Sequence, residues 1–363
     1  MIAARSALIL NFTANTYHWG CYGTSVELYQ SLVERNYYAS CVSVHATHGL
    51  APSPATLEQM TEPAFMRAAC DANPTLATSL RESDVVVVNG EGTLHRTHPA
   101  PRNLLFLTNL ASRHFGKPVH LINHSFYPSG SREPSAETDP MYRTIAAVLT
   151  CVVPRETYSL DVLRRLGVTA VQGFDCLPRF IARHRTSLTP DPAFRHALLL
   201  SGGVNLTPPA AQQISRVVTS CRRPGQRVVY LSGAKSQPAR EDQVLYGLMR
   251  GEIPDLEFHE ASSMLGWLNV LAGAQGLVSA RFHHTLAAAM LGTPVVVFPS
   301  NTPKLEAVCD MLQLEPPLAF DDPHLEGKLA EALGAVHDGR AGVISEAARQ
   351  SMLDLAAVNF AGL

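Results

Sequence analysis

Charge is scarce in this chain of 363 residues: Asp, Glu, Lys and Arg together make up 17%, with 29 basic against 31 acidic side chains and a formal net charge of −2. Such a balance lacks the basic footprint of a general nucleic-acid binder, so no DNA or RNA partner is expected. Seven cysteines form an odd set in which no two stand closer than 20 residues, which excludes a CxxC zinc pair and a disulfide framework. No Walker A loop and no GxSxG elbow occurs, so P-loop ATPase and α/β-hydrolase chemistry drop out. Internal repeats and low-complexity runs are absent. The opening residues MIAARSALILNF hold one Arg and an apolar run of about seven, too short to span a bilayer and without a small-residue cleavage site. They read as a first β-strand of a cytoplasmic protein.

An apolar share of 46% is enough for two buried cores, and the length suits two domains of about 100–200 residues each. Seven short aliphatic runs end at Gly, Ser or Asn and lead into helix-like stretches: 7–12, 84–90, 118–125, 196–203, 227–233, 276–280 and 294–300. Continuous apolar strands alternating with helices predict parallel sheets covered on both faces. Ligands of such sheets bind beyond the carboxyl ends of the strands, so the chemistry is to be sought just after each run. The Pro- and Arg-rich stretch 173–196 reads as an interdomain linker. It sets an amino-terminal α/β domain over 1–188 and a carboxyl-terminal one over 189–363. The tail from about 340 has helical spacing and is expected to pack on one domain or cross back to the other.

The most informative segment is GLVSARFHHTLAAAMLGTPVVVFPSNTPKLEAV, residues 276–308. A strand leads to Arg281, His283 and His284, then come a helix and a strand ending near Lys304. A helix amino terminus offers free N–H groups and the positive end of the dipole, so an Arg and a His there suit a phosphate or carboxylate. Arg281 itself is unfavourable to that dipole unless an anion compensates it. Capping and interdomain roles remain open alternatives on physical grounds. Between Arg143 and Arg195 stand eight Arg, no Lys and four acids, an excess that suits one anionic ligand or a solvated helix face.

SARFHHTLAAAMLGTPVVVFPSNTPK resembles the Ser-x-Arg-x-His helix and following Gly-x-Pro strand of the polysaccharide pyruvyltransferase family. DVVVVNGEGTLH (84–95) is similar to the family's Gly-rich loop, VVPRETYSLDVLRRLGV (152–168) to its Arg-Glu-x-x-Ser helix, and NTYHWGCYGTSVEL (15–28) to its amino-terminal Asn/Gly loop. These blocks span most of the chain in the family's order. The resemblance implies two Rossmann-like domains with parallel sheets, similar to the glycosyltransferase B architecture, the amino-terminal one on the acceptor side and the carboxyl-terminal one on the donor side. It implies transfer of the enolpyruvyl unit of phosphoenolpyruvate to two hydroxyls of a sugar, giving a cyclic pyruvate ketal and phosphate, with no metal or other cofactor. The partners expected are phosphoenolpyruvate and a glycan or lipid-linked saccharide acceptor.

The donor carries a phosphate and a carboxylate, which Arg guanidinium groups bind bidentately; Arg281 and Arg155 match family positions. His283 matches the motif histidine and is the first candidate acid or base. His284, about 100° further round the helix, reads as packed or surface-exposed. Lys304 matches a position that commonly carries Lys, where it can hold the leaving phosphate or stand as a solvated loop residue. Gly90, Gly92 and Thr93 with Glu91 form a loop that a ligand can approach closely. Glu91 replaces the plainer glycine run of many relatives, and His95 stands near their Asp; both bear on the acceptor, with Glu91 a candidate base.

His124, after the run 118–123, is a candidate acid/base or a packed histidine. Asn15, His18, Trp19, Gly20 and Cys21 follow the first strand, and Trp19 is either a sugar-stacking element or core. Ser201, Gly202, Ser232 and Gly233 end strands of the second domain and read as helix-starting turns or phosphate contacts. His45/His48 and His95/His98 stand three apart, but Gly49 and Pro99 place them in loops without a paired acid or Cys, so no zinc is expected. Two other readings stay in play. One is a nucleotide-sugar glycosyltransferase with Glu306 on the ribose; the other is a glycan- or anion-binding relative without turnover.

Overall fold

The computed structural model describes residues 5–15, 18–203, 205–233, 240–340 and 342–363. They divide into two compact units, each built on a five-stranded parallel sheet. The first holds residues up to Asn15, Thr24–Cys176 and Met352–Leu363; the second holds Thr16–Gly23 and Leu177–Ser351.

In the first unit β1 (Arg5–Phe12), β2 (Tyr37–Ser43), β3 (Val85–Glu91), β4 (Val119–His124) and β5 (Cys151–Pro154) lie in the order β2-β1-β3-β4-β5. Alternate side chains of a strand face opposite sides of the sheet. Leu8, Leu10, Val86 and Val88 fall in one buried cluster, and Ala7, Ile9, Val85 and Val87 in another. Both faces are therefore covered, which is why these strands read as unbroken apolar runs. The strand order reverses direction between β1 and β3, the switch point at which a crevice opens beyond the carboxyl ends.

In the second unit β6 (Ala197–Ser201), β7 (Arg227–Leu231), β8 (Glu257–His259), β9 (Gly276–Ser279) and β10 (Val295–Val297) lie in the order β10-β9-β6-β7-β8. Its switch point falls between β6 and β9, where the hydroxyls of Ser201 and Ser279 stand 2.8 Å apart. All seven aliphatic runs are strands. The three strands without such a run, β2, β5 and β8, are edge strands, and two of them leave residues open to solvent, as the mixed burial of β2 and β8 shows.

The boundary lies at Cys176/Leu177 rather than 188, and the stretch taken for a linker is folded on both sides of that point. Phe174, Asp175 and Cys176 are buried in the first unit, while the helix Leu177–Arg183 buries Leu177, Phe180 and Ile181 and packs on the helix Phe282–Leu291 of the second. The carboxyl-terminal residues are likewise not the second unit's. Asn359 accepts the Asn123 N–H at 2.9 Å and donates to the Phe174 carbonyl at 2.7 Å, and Phe360 enters the core beside Leu28 and Leu32. Among the described residues no helix is long and apolar enough to cross a membrane.

Candidate active site

In the first unit the carboxyl ends of β1, β3 and β4 carry a ladder of buried polar side chains. Asn11 donates to the Asn89 carbonyl at 2.7 Å, Asn123 donates to Asn89 Oδ1 at 2.7 Å, and Asn89 donates to Glu91 Oε1 at 3.2 Å. The Thr13 hydroxyl also donates to Glu91 Oε1. Asn11, Glu91 and Asn123 all have left-handed backbone, with φ of 61°, 41° and 52°. Three non-glycine residues in that region at neighbouring strand ends are held there by the surrounding bonds, the kind of strain that gathers at functional sites.

His124 ends β4 and is fully buried, and neither ring nitrogen meets a hydrogen-bond partner of acceptable geometry. Burial, followed by the Arg155 charge, lowers its pKa from 6.5 to about 3, against a small opposing effect of the Ser125 backbone. The imidazole is thus neutral. Gly90 explains how it fits: a side chain there would put its first carbon 2.4 Å from His124 Cβ. The rest of the Gly-rich loop is tied down locally. Thr93 N–H donates to the Gly90 carbonyl at 3.0 Å, Asn11 donates to Thr93 Oγ1 at 3.2 Å, and His95 Nδ1 donates to the Gly92 carbonyl at 2.8 Å. Asn15, past β1, is exposed.

Arg155 is buried and donates to Asp175 Oδ2 at 2.9 Å and to Ser125 Oγ at 3.0 Å. Asp175 also accepts from Thr24 at 2.9 Å. The anion on Arg155 in this structure is therefore the unit's own carboxylate. The neighbouring Glu156 caps the helix Thr157–Arg165, accepting the Ser159 N–H at 2.8 Å and the Ser159 hydroxyl, so the Arg-Glu-x-x-Ser block is in part a capping device. The remaining arginine excess is largely surface: Arg164 and Arg165 pair with Asp161 and Asp139.

In the second unit Arg281 is the N-cap residue of Phe282–Leu291, with its side chain 10% exposed. Its Nη2 donates to Asp242 Oδ1 at 2.5 Å and lies 3.4 Å from Glu241, and its Nη1 donates to His18 Nε2 at 3.5 Å. Asp242 is fully buried and further accepts from Tyr230 Oη at 2.9 Å, Gly233 N–H at 3.2 Å and Ser232 Oγ at 3.4 Å. The anion that reconciles Arg281 with the helix dipole is thus supplied in part from within. Burial works against the guanidinium charge, but Asp242, Tyr230 and Glu241 outweigh it and raise the Arg281 pKa. Arg281 Nε is buried without a hydrogen bond.

A rotation of about 100° round the motif helix separates its two histidines by environment. His283 is half-buried, with Nδ1 3.7 Å from Cys21 Sγ and its ring edge-on to Phe282. His284 is buried edge-on to Trp267, whose Nε1 donates to its Nε2 at 3.4 Å. Burial, then the Arg281 charge, holds His284 well below the usual histidine range. His18 is lowered to about 4, mainly by burial and next by Arg281. Lys304 begins the helix Lys304–Leu312; it is not a solvated loop lysine but is 8% exposed and donates to Asn301 Oδ1 at 2.6 Å.

Trp19 departs from the sugar-stacking expectation. The residue is 5% exposed, its ring stands edge-on to Tyr22, and its backbone N–H donates to the Gly233 carbonyl at 3.1 Å, so it offers no open face. Asp242 and Asp175 were not singled out by sequence reasoning. Each is an isolated acid in an unremarkable context, and only its pairing with an arginine 39 or 20 positions away gives it meaning.

Two doubly wound parallel units give the chain a fold of the glycosyltransferase B type. UDP-GlcNAc 2-epimerase from Neisseria meningitidis, solved with UDP-GlcNAc bound, superposes with a TM-score of 0.62 at 11% identity over 97% of this chain and 98% of its own. The UDP-GlcNAc 2-epimerase of Methanocaldococcus jannaschii gives 0.56 at 11% over 92% and 93%, and sucrose-phosphate synthase of Thermosynechococcus elongatus gives 0.56 at 13% over 97% and 94%. At these identities the likeness is one of fold. No curated protein is matched. The chain belongs to the polysaccharide pyruvyl transferase family, whose sequence model matches residues 10–302.

Proposed function

We propose that this chain is a ketal-forming transferase that takes phosphoenolpyruvate as donor and a glycan, or its lipid-linked precursor, as acceptor. The observation that carries the reading is the Ser-x-Arg-x-His helix start. Arg281 is clamped there by Asp242 with one guanidinium nitrogen unbonded, and His283, two residues later, is only half-buried. Arg281 and Lys304 bind the donor's phosphate and carboxylate. His283 delivers a proton to C3 as C2 gains oxocarbenium character. One sugar hydroxyl adds to C2 and loses its proton, phosphate departs with the electron pair of its C–O bond, and the second hydroxyl closes the ketal as its proton leaves with phosphate. The balance is one phosphoenolpyruvate and one diol giving one ketal and one phosphate.

On the acceptor side Glu91, fixed by Thr13 and Asn89, takes a hydroxyl proton, and neutral His124 behind Gly90 is the reserve acid/base. Arg155 acts by fixing the residue after β4 and by adding to the burial that keeps His124 neutral. Gly92, Thr93, His95 and Asn15 line the acceptor's approach. A second reading, nucleotide-sugar transfer, has one observation in its favour: Glu306 Oε2 is buried without a partner, and burial raises its pKa. Thermal unfolding separates the two. Stabilisation by phosphoenolpyruvate and not by UDP-sugars supports pyruvyl transfer, and the reverse supports the alternative.

A further inference from the structure

Residues 35–57 and 92–132 contain no Asp or Glu at all. The first unit folds these two acid-free stretches together beside its switch point. The short helix Val44–His48 follows β2, the helix Pro99–Asn109 follows the Gly-rich loop of β3, and the two pack against each other. Asn103 Nδ2 donates to the His48 carbonyl at 2.7 Å, and Arg102 Nη1 donates to the Ala55 carbonyl at 3.4 Å. The imidazoles of His95 and His98 meet edge to face, with centroids 5.2 Å apart.

Arg96, between them, is held at φ 57° by its N–H on the Tyr127 carbonyl and by the Tyr142 hydroxyl on its own carbonyl at 2.6 Å. Neither Arg96 nor Arg102 has a carboxylate partner among the described residues, and Arg102 Nε and His48 Nε2 are buried without hydrogen bonds. After burial, the groups that lower the pKa of His98 are Arg96 and Arg102, and those that lower His48 are His98 and His45. Two guanidinium groups without a carboxylate partner of their own leave that charge for a ligand.

We propose that the face made by His48, His95, Arg96, His98 and Arg102 binds a phosphate-bearing group, a diphosphate in preference to a monophosphate, on the molecule that enters the first unit. Two guanidinium forks suit phosphate oxygens bidentately. Imidazoles that gain protons as the anion arrives add charge only when the ligand is present. Several cations around one crevice match the higher charge of a diphosphate better than a single carboxylate. Calling that molecule the acceptor rests on the reading above; the anion site itself does not.

The test uses the full chain, without donor, in a titration with inorganic pyrophosphate at constant ionic strength, followed by NMR of the histidine ring protons. The His48, His95 and His98 signals shift together and saturate, their titration midpoints move up, and buried His124 stays still. Arg102→Gln weakens pyrophosphate by about tenfold, as expected for loss of a charge-assisted fork; should that variant fail to fold, exposed His98→Gln serves instead. Competition by a glycosyl diphosphate lacking a nucleobase, against competition by a nucleoside diphosphate, then identifies the source of the group. Shifts that never saturate, that sulfate reproduces equally, or that survive both substitutions overturn the proposal. Because no turnover is read, failure here with intact phosphoenolpyruvate-dependent phosphate release overturns only the anion site, and the converse overturns only the transferase reading.

Discussion

Cys21 Sγ lies 3.7 Å from Nδ1 of His283, and a side chain on the adjacent Gly20 would put its first carbon 2.1 Å from His283 Cβ. The helix start Trp19–Cys21 is thus a seat for the motif histidine. Which imidazole nitrogen carries the proton follows from what the other one bonds. The sulfur beside Nδ1 turns the ring so that Nε2 is the nitrogen that presents the imidazolium proton to the substrate, and in the neutral ring a thiol donating to Nδ1 favours the Nε2–H tautomer. Replacing Cys21 by Ala is expected to shift the His283 tautomer ratio, read from its ring-nitrogen chemical shifts, and to lower kcat by about tenfold. Ser should restore both in part. An unchanged ratio in Cys21→Ala would count against the assignment.

Gly90→Ala tests the packing between the Gly-rich loop and His124. The added carbon meets His124 Cβ at 2.4 Å, and that atom is the root of the side chain, not a flexible end. Overpacking of this kind costs about 1–3 kcal/mol. Urea unfolding should show that loss together with reduced turnover. A fully active Gly90→Ala enzyme of unchanged stability would mean that His124 and the loop move freely.

His124 also gives a pH dependence with a definite sign. Unfolded histidine protonates near 6.5, whereas folded His124 stays neutral down to about 3. The unfolded chain therefore binds the proton first, and stability falls as pH drops below 6.5, by up to about 1.4 kcal/mol per unit, until the folded group itself titrates. Above 6.5 the group contributes nothing. Between pH 6.5 and 5, His124→Asn should lose about 2 kcal/mol less than the parent chain in denaturant titrations. Parallel pH profiles would contradict the burial of a neutral imidazole.

Asp242 is the acid on which Arg281 depends. Asp242→Asn leaves a buried guanidinium with its compensation removed and should cost about 3–5 kcal/mol of stability. Adding Arg281→Met to that variant is expected to recover much of the melting temperature while abolishing phosphoenolpyruvate binding. Recovery of both, or of neither, would show that the pair does not act as drawn.

Much of this was legible before the fold was known. The aliphatic runs marked seven strands, six interior ones and the buried edge strand β10, because both faces of each are covered, and the ends of those runs directed attention to Gly90–Thr93, His124 and Arg281. The edge strands β2 and β8 escaped because all but one of their residues are exposed or half-buried, so their sequences hold no apolar run. Trp19 was ambiguous for a different reason, since an indole beside polar residues looks the same in sequence whether its ring faces a sugar or a core. The carboxylates behind the arginines were invisible: Asp175 and Asp242 acquire their roles only from long-range pairing, and a Pro- and Arg-rich stretch such as 173–196 conceals the buried Phe174 and Phe180 that make it structured.

The central claim is that Arg281 and the helix it caps hold phosphoenolpyruvate. Titration calorimetry with the parent chain and with Arg281→Ala tests it without any acceptor. The parent chain should bind phosphoenolpyruvate, and the variant should bind it at least about tenfold more weakly, the scale of one lost charge-assisted contact. Equal affinity in the two proteins, or binding of a UDP-sugar with none of phosphoenolpyruvate, would contradict it.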